Sequence, residues 1–378
     1  MPDYAGAGFF NLAVSLARAC GADVPERYAS LAESHDWASR HAIVCFLVDG
    51  LGDDFLFAHR DIAPRLWADR LRALTSVFPS TTATAITTLL TARSAATHGL
   101  LGWHVDDTVS GRIVAPLPMR YRGGEPVREA TTIERILRTP SMFASATRAT
   151  HIVTLPHLTA GAYSLHHADG ARSHAYAGLG QLAEVLAQVS QAEMQPHFIY
   201  CYTPALDATA HDFGIASPQA RCVLAEVEAA YVAMRAALPE ALLVVSADHG
   251  FIDAPAERCI ELTAWPALYG MLAAPLTGEP RMAYCRVKPA YAAQFGEAVE
   301  AELGHALMAV PSADLFDAGL FGPDDSPLAR GRAGDWTLIA RGDWTVRDTL
   351  PGERKHAMIG MHGGPSRQEM YVPLIVGR

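Results

Sequence analysis

Five short stretches of the sequence carry residue types that bind cations or attack phosphorus. Asp49 stands in VDGLGDD, directly after the apolar run Ala42–Val48. A carboxylate there can ligate a metal, serve a phosphate site or close a turn at a strand end. Next comes FPSTTATAITTLLTARSAATHGLLGW. Pro79 holds Phe78 extended, and a helix is predicted to start near Thr81–Thr82 and run through Ile86, Leu89 and Leu90. A hydroxyl at such a start sits at the positive end of the helix dipole, beside free backbone N–H groups. Those groups stabilise an alkoxide and phosphoryl oxygens alike, which suits attack on phosphorus. The plain alternative is that Ser80 or Thr81 caps the helix. TPALDATAHDFG spaces Asp207 and His211 four apart, on one face of a helix. That pair arises easily by chance. VVSADHGF sets Asp248 and His249 side by side at a strand end, where both can reach one metal. GMHGGPSRQEMYVPLIV sets His362 before a strand; a lone histidine of this kind is more often structural.

Three aspartates, three histidines and a threonine therefore stand out between Asp49 and His362. Mixed imidazole and carboxylate donors suit zinc, with manganese or iron as alternatives. Two such ions about 4 Å apart can activate one hydroxyl and clamp phosphoryl oxygens.

These residues need a scaffold that gathers them. The apolar runs Ala42–Val48, Phe198–Tyr202, Ala241–Val245 and Tyr371–Val376 read as strands buried on both faces. Helical patterns lie between them. The clearest starts at Ser217 as N-cap with Pro218 in the first turn, and continues through Leu224, Val227, Tyr231 and Met234. Another carries Leu182, Val185, Leu186 and Val189. Strands alternating with helices predict an α/β fold: a mostly parallel central sheet with helices on both faces and its site at the carboxyl ends of the strands. Residues 262–355 differ. A strand over Met282–Val287, a helix over Ala290–Leu303 and a Gly/Pro/Asp-rich tail predict a smaller inserted α+β cap. The core is then 1–261 with 356–378.

With 378 residues, 50% hydrophobic and 19% charged, the chain can bury a large core and is not disordered. A net charge of -10 leaves no basic face for a stable nucleic-acid partner. No run is long enough to span a membrane. The N-terminal stretch reads as an amphipathic helix rather than a signal peptide, since Arg18 interrupts it. The six cysteines form no CxxC and several lie in apolar runs, which fits reduced thiols in the cytoplasm. Nothing sets an oligomeric state.

The ordered set D-G (Asp49), F-P-S-T-T (78–82), T-x6-H-G (Thr91, His98, Gly99), D-x3-H (Asp207, His211), D-H-G (248–250) and H-G-G (362–364) resembles the alkaline phosphatase superfamily. The branch it is most similar to is that of type I phosphodiesterases and nucleotide pyrophosphatases. Each motif is weak alone; in this order they are specific. The resemblance implies one metal on Asp49, Asp248 and His249 and another on Asp207, His211 and His362. It implies a threonine nucleophile, also a metal ligand, nine positions before Thr91. That is Thr82, with Thr81 as fallback. It further implies two divalent ions, zinc first, and a small anionic phosphorus-containing substrate, hydrolysed as a phosphodiester or nucleotide pyrophosphate through a phosphothreonine.

One position departs from the pattern. The nucleotide pyrophosphatases carry, 21 residues after the nucleophile, an asparagine that holds a phosphoryl oxygen; here it is Trp103. An indole N–H donates one hydrogen bond, so Trp103 is kept as a substrate-binding candidate, with His104 as its substitute. The C/S-x-P-x-R motif of sulfatases is absent. A phosphonate hydrolase or phosphomonoesterase on the same scaffold is the alternative, and a metal-binding interaction module without turnover is the non-enzyme alternative. No arginine adjoins Thr82: Arg93 lies about three turns away, roughly 16 Å by helical rise. Arg281, Arg286 and Lys288, around the cap's predicted strand, are the candidates for a delivered cation. His166, His167 and His174 are expected in a solvated loop rather than a substrate pocket, and His356 is unassigned.

Overall fold

A computed structural model describes residues 1–353 and 358–377. His356, and with it the expected cap boundary at 355/356, lies outside the described residues. The seven-stranded central sheet runs in the order Arg70–Thr75, Tyr371–Gly377, Leu242–Ser246, Ala42–Val48, His197–Thr203, Ala149–Thr154, Arg172–Ala175. Every residue of Ala42–Val48 is buried, as a central strand covered by helices requires. Its neighbours on both sides are parallel to it. Tyr371–Gly377 alone runs antiparallel. Hydropathy is blind to direction, but the topology explains it: the chain enters this strand from the loop that carries His362, at the carboxyl end of the parallel strands.

The helix predicted from Ser217 spans Pro218–Ala237, and the Ser217 hydroxyl accepts from the Ala220 N–H at 3.1 Å. The N-terminal helix, Phe9–Ala19, carries the expected polar stripe of Asn11, Ser15 and Arg18 but does not present it to solvent. Apart from half-buried Arg18 it is buried on every side, against the Thr82–Thr91 helix and the segment around Trp37. Among the described residues no helix is long and apolar enough to cross a membrane.

A second sheet of four antiparallel strands follows the order Thr277–Glu279, Met282–Cys285, Trp336–Ala340, Leu307–Pro311. The expected strand over Met282–Val287 stops at Cys285, and the expected helix begins at Phe295, after a short 3₁₀ turn. One face packs its own apolar cluster, including Phe295, Val299, Leu303 and Leu338. The other face, through Met282, Tyr284 and Ile339, joins Phe78, Leu101 and Phe321. The smaller sheet is thus packed against the loop that leads to Thr82. A small antiparallel sheet over Val105–Tyr121, absent from the sequence reading, touches it through paired backbone bonds between His104 and Gly278.

Candidate metal and phosphoryl site

The carboxyl ends of the parallel strands open into a cavity of about 1020 Å³. Asp49 follows Val48 directly and Asp248 lies two residues past Ser246. Asp207 and His211 sit on the helix Ala205–Phe213, with His211 Nε2 3.3 Å from Asp207 Oδ1. His249 Nε2 lies 3.3 Å from Asp49 Oδ1 and 3.4 Å from Asp248 Oδ2. His362 Nε2 lies 3.8 Å from Asp207 Oδ1, and its ring stacks on His249 at 3.7 Å. Thr82 Oγ1 is 3.0 Å from His249 Nε2, and Thr82 lines the same cavity as Asp49, Asp207, His211 and His362. Two groups have ligand atoms all within 4.8 Å of one another: Asp49, Asp248 and His249, and Asp207, His249 and His362. His249 thus stands beside both groups, while His211 shares the oxygen of Asp207.

The hydrogen bonds around these groups leave one set of atoms unused. His211, His249 and His362 each place Nδ1 against a backbone carbonyl, of Gly360 (2.8 Å), Gly250 (3.1 Å) and Ser80 (3.3 Å). A carbonyl only accepts, so Nδ1 holds the proton and Nε2 presents a lone pair. Asp49 Oδ2 accepts from the Tyr202 hydroxyl. Asp248 Oδ1 accepts from the N–H groups of Gly50 and His249, at 3.1 and 3.0 Å. The remaining oxygens, Asp49 Oδ1, Asp207 Oδ1 and Asp248 Oδ2, are buried without a partner. A buried polar atom without a partner is costly, and here three converge with three imidazole lone pairs. That donor set fits divalent cations. Burial, with Asp207 and Asp248 beside it, pushes the Asp49 carboxyl well above the usual carboxylate range. Burial pushes His362 well below the usual imidazole range, aided by His249 and His211. For His211 burial pulls downward, but Asp207 outweighs it and the group is raised.

Glycine makes the close approaches possible. Gly50 has φ +79°, and a Cβ there would lie 2.4 Å from the Phe251 ring. Thr82 opens the helix Thr82–Thr91, with Thr81 as N-cap. The neighbouring hydroxyls are engaged: Ser80 donates to the Gly364 carbonyl at 2.7 Å and Thr81 donates to Glu279.

Trp103 lines the cavity and is 41% exposed, and its backbone N–H donates to Glu279 Oε1 at 2.6 Å. Burial lowers the neighbouring His104 to about 4. The three cations expected from the cap are engaged. Arg281 pairs with Glu369 at 2.9 and 3.0 Å, Arg286 with Asp106, and Lys288 donates to the Gly270 carbonyl at 2.7 Å. Arg122 and Arg347 line the cavity but pair with Asp348 and Glu353, and with Glu261. His167 is buried rather than solvated, and burial drives it to about 3. His174 is half-buried against His151 at 3.0 Å. Sequence reasoning missed Tyr202 and Glu279. Tyr202 looked like one more apolar strand residue, and Glu279 in TGEP carries no signal at all.

The model of the family "Type I phosphodiesterase / nucleotide pyrophosphatase" matches residues 43–365. A search of curated protein sequences found no match. Among solved structures, human ectonucleotide pyrophosphatase/phosphodiesterase 5 superposes with a TM-score of 0.67 at 16% identity, covering 88% of this chain and 87% of that one. The inactive murine counterpart in complex with AMP gives 0.64 at 17%, covering 88% and 87%. Phosphonoacetate hydrolase from Sinorhizobium meliloti in complex with phosphonoacetate gives 0.66 at 17%, covering 89% and 90%. At such identities these structures share the fold.

Proposed function

The chain belongs to the type I phosphodiesterase / nucleotide pyrophosphatase family, a family of phosphoric ester hydrolases, and from that premise we propose a dinuclear metal-dependent phosphodiesterase that works through a covalent phosphothreonine. The observation that carries this reading is the convergence of three unpartnered carboxylate oxygens and three imidazole Nε2 atoms in one cavity, with the Thr82 hydroxyl against His249. In this reading Asp49, Asp248 and His249 hold one ion, Asp207, His211 and His362 hold the other, and Thr82 is a ligand as well as the nucleophile. Zinc suits the mixed donors, with manganese or iron as alternatives. When bound, the ions neutralise phosphoryl oxygens and lower the pKa of the hydroxyl.

The protein's own residues do the rest. Thr82 Oγ attacks phosphorus, the ester or anhydride oxygen leaves, and water hydrolyses the phosphothreonine to restore the hydroxyl. The first N–H groups of the helix have no intrahelical carbonyl to bond and give the phosphoryl group a positive neighbour. Trp103 borders the substrate, and residues 262–355 act as the cap that selects it. The six cysteines are free, which suits a reducing cytoplasm.

The test is a turnover screen of the zinc-loaded protein against phosphodiesters, phosphoanhydrides, monoesters and phosphonoacetate. Cleavage of diesters and anhydrides ahead of the others supports the reading. A protein with two ions bound that hydrolyses no phosphoester overturns it.

A further inference from the structure

A second, smaller pocket adjoins the cavity on the core side. One face of the central sheet lines it. Ile152 pairs laterally with Tyr200 and with Ser173, so these three side chains share a face. Thr154 and Tyr202 follow two residues further along the same strands and point the same way. Ile86 and Leu90 of the Thr82–Thr91 helix also line the pocket. They lie four and eight residues past Thr82, roughly 6 and 12 Å along the helix. The short helix Ala162–His167 adds Tyr163, Ser164 and His167. Leu117, Leu158 and Tyr202 line this pocket and the larger cavity alike, so a group bound at Thr82 can reach into it. Its volume is about 110 Å³. A closed apolar cavity of roughly 150 Å³ holds benzene, so this pocket, open towards the larger cavity, has room for one ring and not for a long chain.

The pocket is uncharged. Among the described residues no Lys, Arg, Asp or Glu lines it. The Tyr163 hydroxyl is engaged with Thr87 at 2.8 Å. Two other hydroxyls are not engaged: Thr154 Oγ1 and Tyr200 Oη have no partner, in residues only 6% and 4% exposed. Leaving a buried hydroxyl without a partner is costly, and two of them in one apolar pocket call for a ligand that answers them. We propose that this pocket binds one ester group of the substrate: a compact, uncharged group of about one ring, apolar along its sides, with a polar tip that the Thr154 and Tyr200 hydroxyls hold. The inference deepens the phosphoesterase reading above and rests on it. It favours diesters of small aryl or cyclic alcohols. A phosphate or carboxylate arm would carry a charge into a pocket with no cation to answer it.

The experiment uses the full-length, zinc-loaded protein with labelled isoleucine methyls, and two neutral probes, benzyl alcohol and toluene, which differ by one hydroxyl. In wild type both probes shift the Ile86 and Ile152 methyl resonances, and benzyl alcohol binds about fivefold more tightly than toluene, the worth of one net hydrogen bond. The double variant Thr154→Val, Tyr200→Phe keeps the shape of the pocket and loses no existing bond, so it folds as wild type does. In it the two probes bind within about twofold of each other. Ser164→Leu, at a half-buried lining position, fills the pocket. It weakens both probes about tenfold or more and lowers kcat/KM on bis-p-nitrophenyl phosphate by a similar factor, while the remaining methyl resonances report an intact fold. No shift at Ile86 and Ile152 means a pocket that holds water only and overturns the proposal. So does a preference for benzyl alcohol that the double variant keeps, or turnover that Ser164→Leu leaves unchanged. If wild type hydrolyses no phosphoester yet the probe ratios hold, the parent reading falls and the pocket stands as a site for an uncharged ring. Turnover without probe binding gives the reverse.

Discussion

The two walls of the cavity treat charge in opposite ways. On the core wall, Asp49, Asp207 and Asp248 each keep a buried oxygen without a partner, and His211, His249 and His362 turn their lone pairs inward. On the cap wall the charges answer one another. Arg122 is held by Asp348 and Glu353, Arg347 by Glu261, and Arg281 behind them by Glu369. The two walls divide the labour. Unanswered donors on one wall are a demand for cations; answered cations on the other leave none committed to a second phosphoryl charge. In the proposed function, catalytic power belongs to the core wall and substrate choice to the cap wall.

Thr82→Ala should break the core wall most severely. It should cost at least about a thousandfold in kcat/KM on bis-p-nitrophenyl phosphate while metal content holds. Thr81→Ala, whose hydroxyl serves Glu279, should lose about tenfold. Equal losses would place the nucleophile elsewhere. On the cap side, Arg281→Met strands the fully buried Glu369, and removing one partner of a buried pair costs about 3–5 kcal/mol. Urea unfolding measures this; a change under about 1 kcal/mol would mean that the pair does not hold the wall. Tyr202→Phe removes the hydroxyl that orients Asp49 and should weaken one metal about 10–100-fold in chelator competition. Unchanged affinity would show that the strand end alone fixes Asp49. The smallest effect is the substrate preference itself, bis-p-nitrophenyl phosphate over p-nitrophenyl phosphate. A monoester preference of about tenfold or more, about 1.4 kcal/mol, would mean that a cation beyond Arg281, Arg286 and Lys288, whose partners lie elsewhere, reaches the phosphoryl group.

The core wall was legible because its residues obey local rules. Asp49 and Asp248 follow buried runs, and Asp207 and His211 share a helix face through their spacing. The cap wall was not legible. Glu279 meets Thr81 across 198 residues and Trp103 across 176, and no periodicity reports contacts of that range. Direction was hidden as well: Tyr371–Gly377 has the composition of a parallel strand and runs the other way. His167 misled because a polar stretch, SLHHADG, reads as solvated although the fold buries one of its two adjacent histidines. The N-terminal helix forms where its pattern predicts, but its polar stripe is covered: Asn11 donates to the Ala29 carbonyl and Ser15 accepts from the Leu31 N–H.

The most direct test of the central claim is anomalous diffraction at the zinc edge from crystals of the reconstituted protein. Two peaks per chain are expected, one bounded by Asp49, Asp248 and His249 and the other by Asp207, His211 and His362, with Thr82 Oγ beside both. A single peak, or Asp49 and Asp207 on the same ion, would rule out the two-ion site.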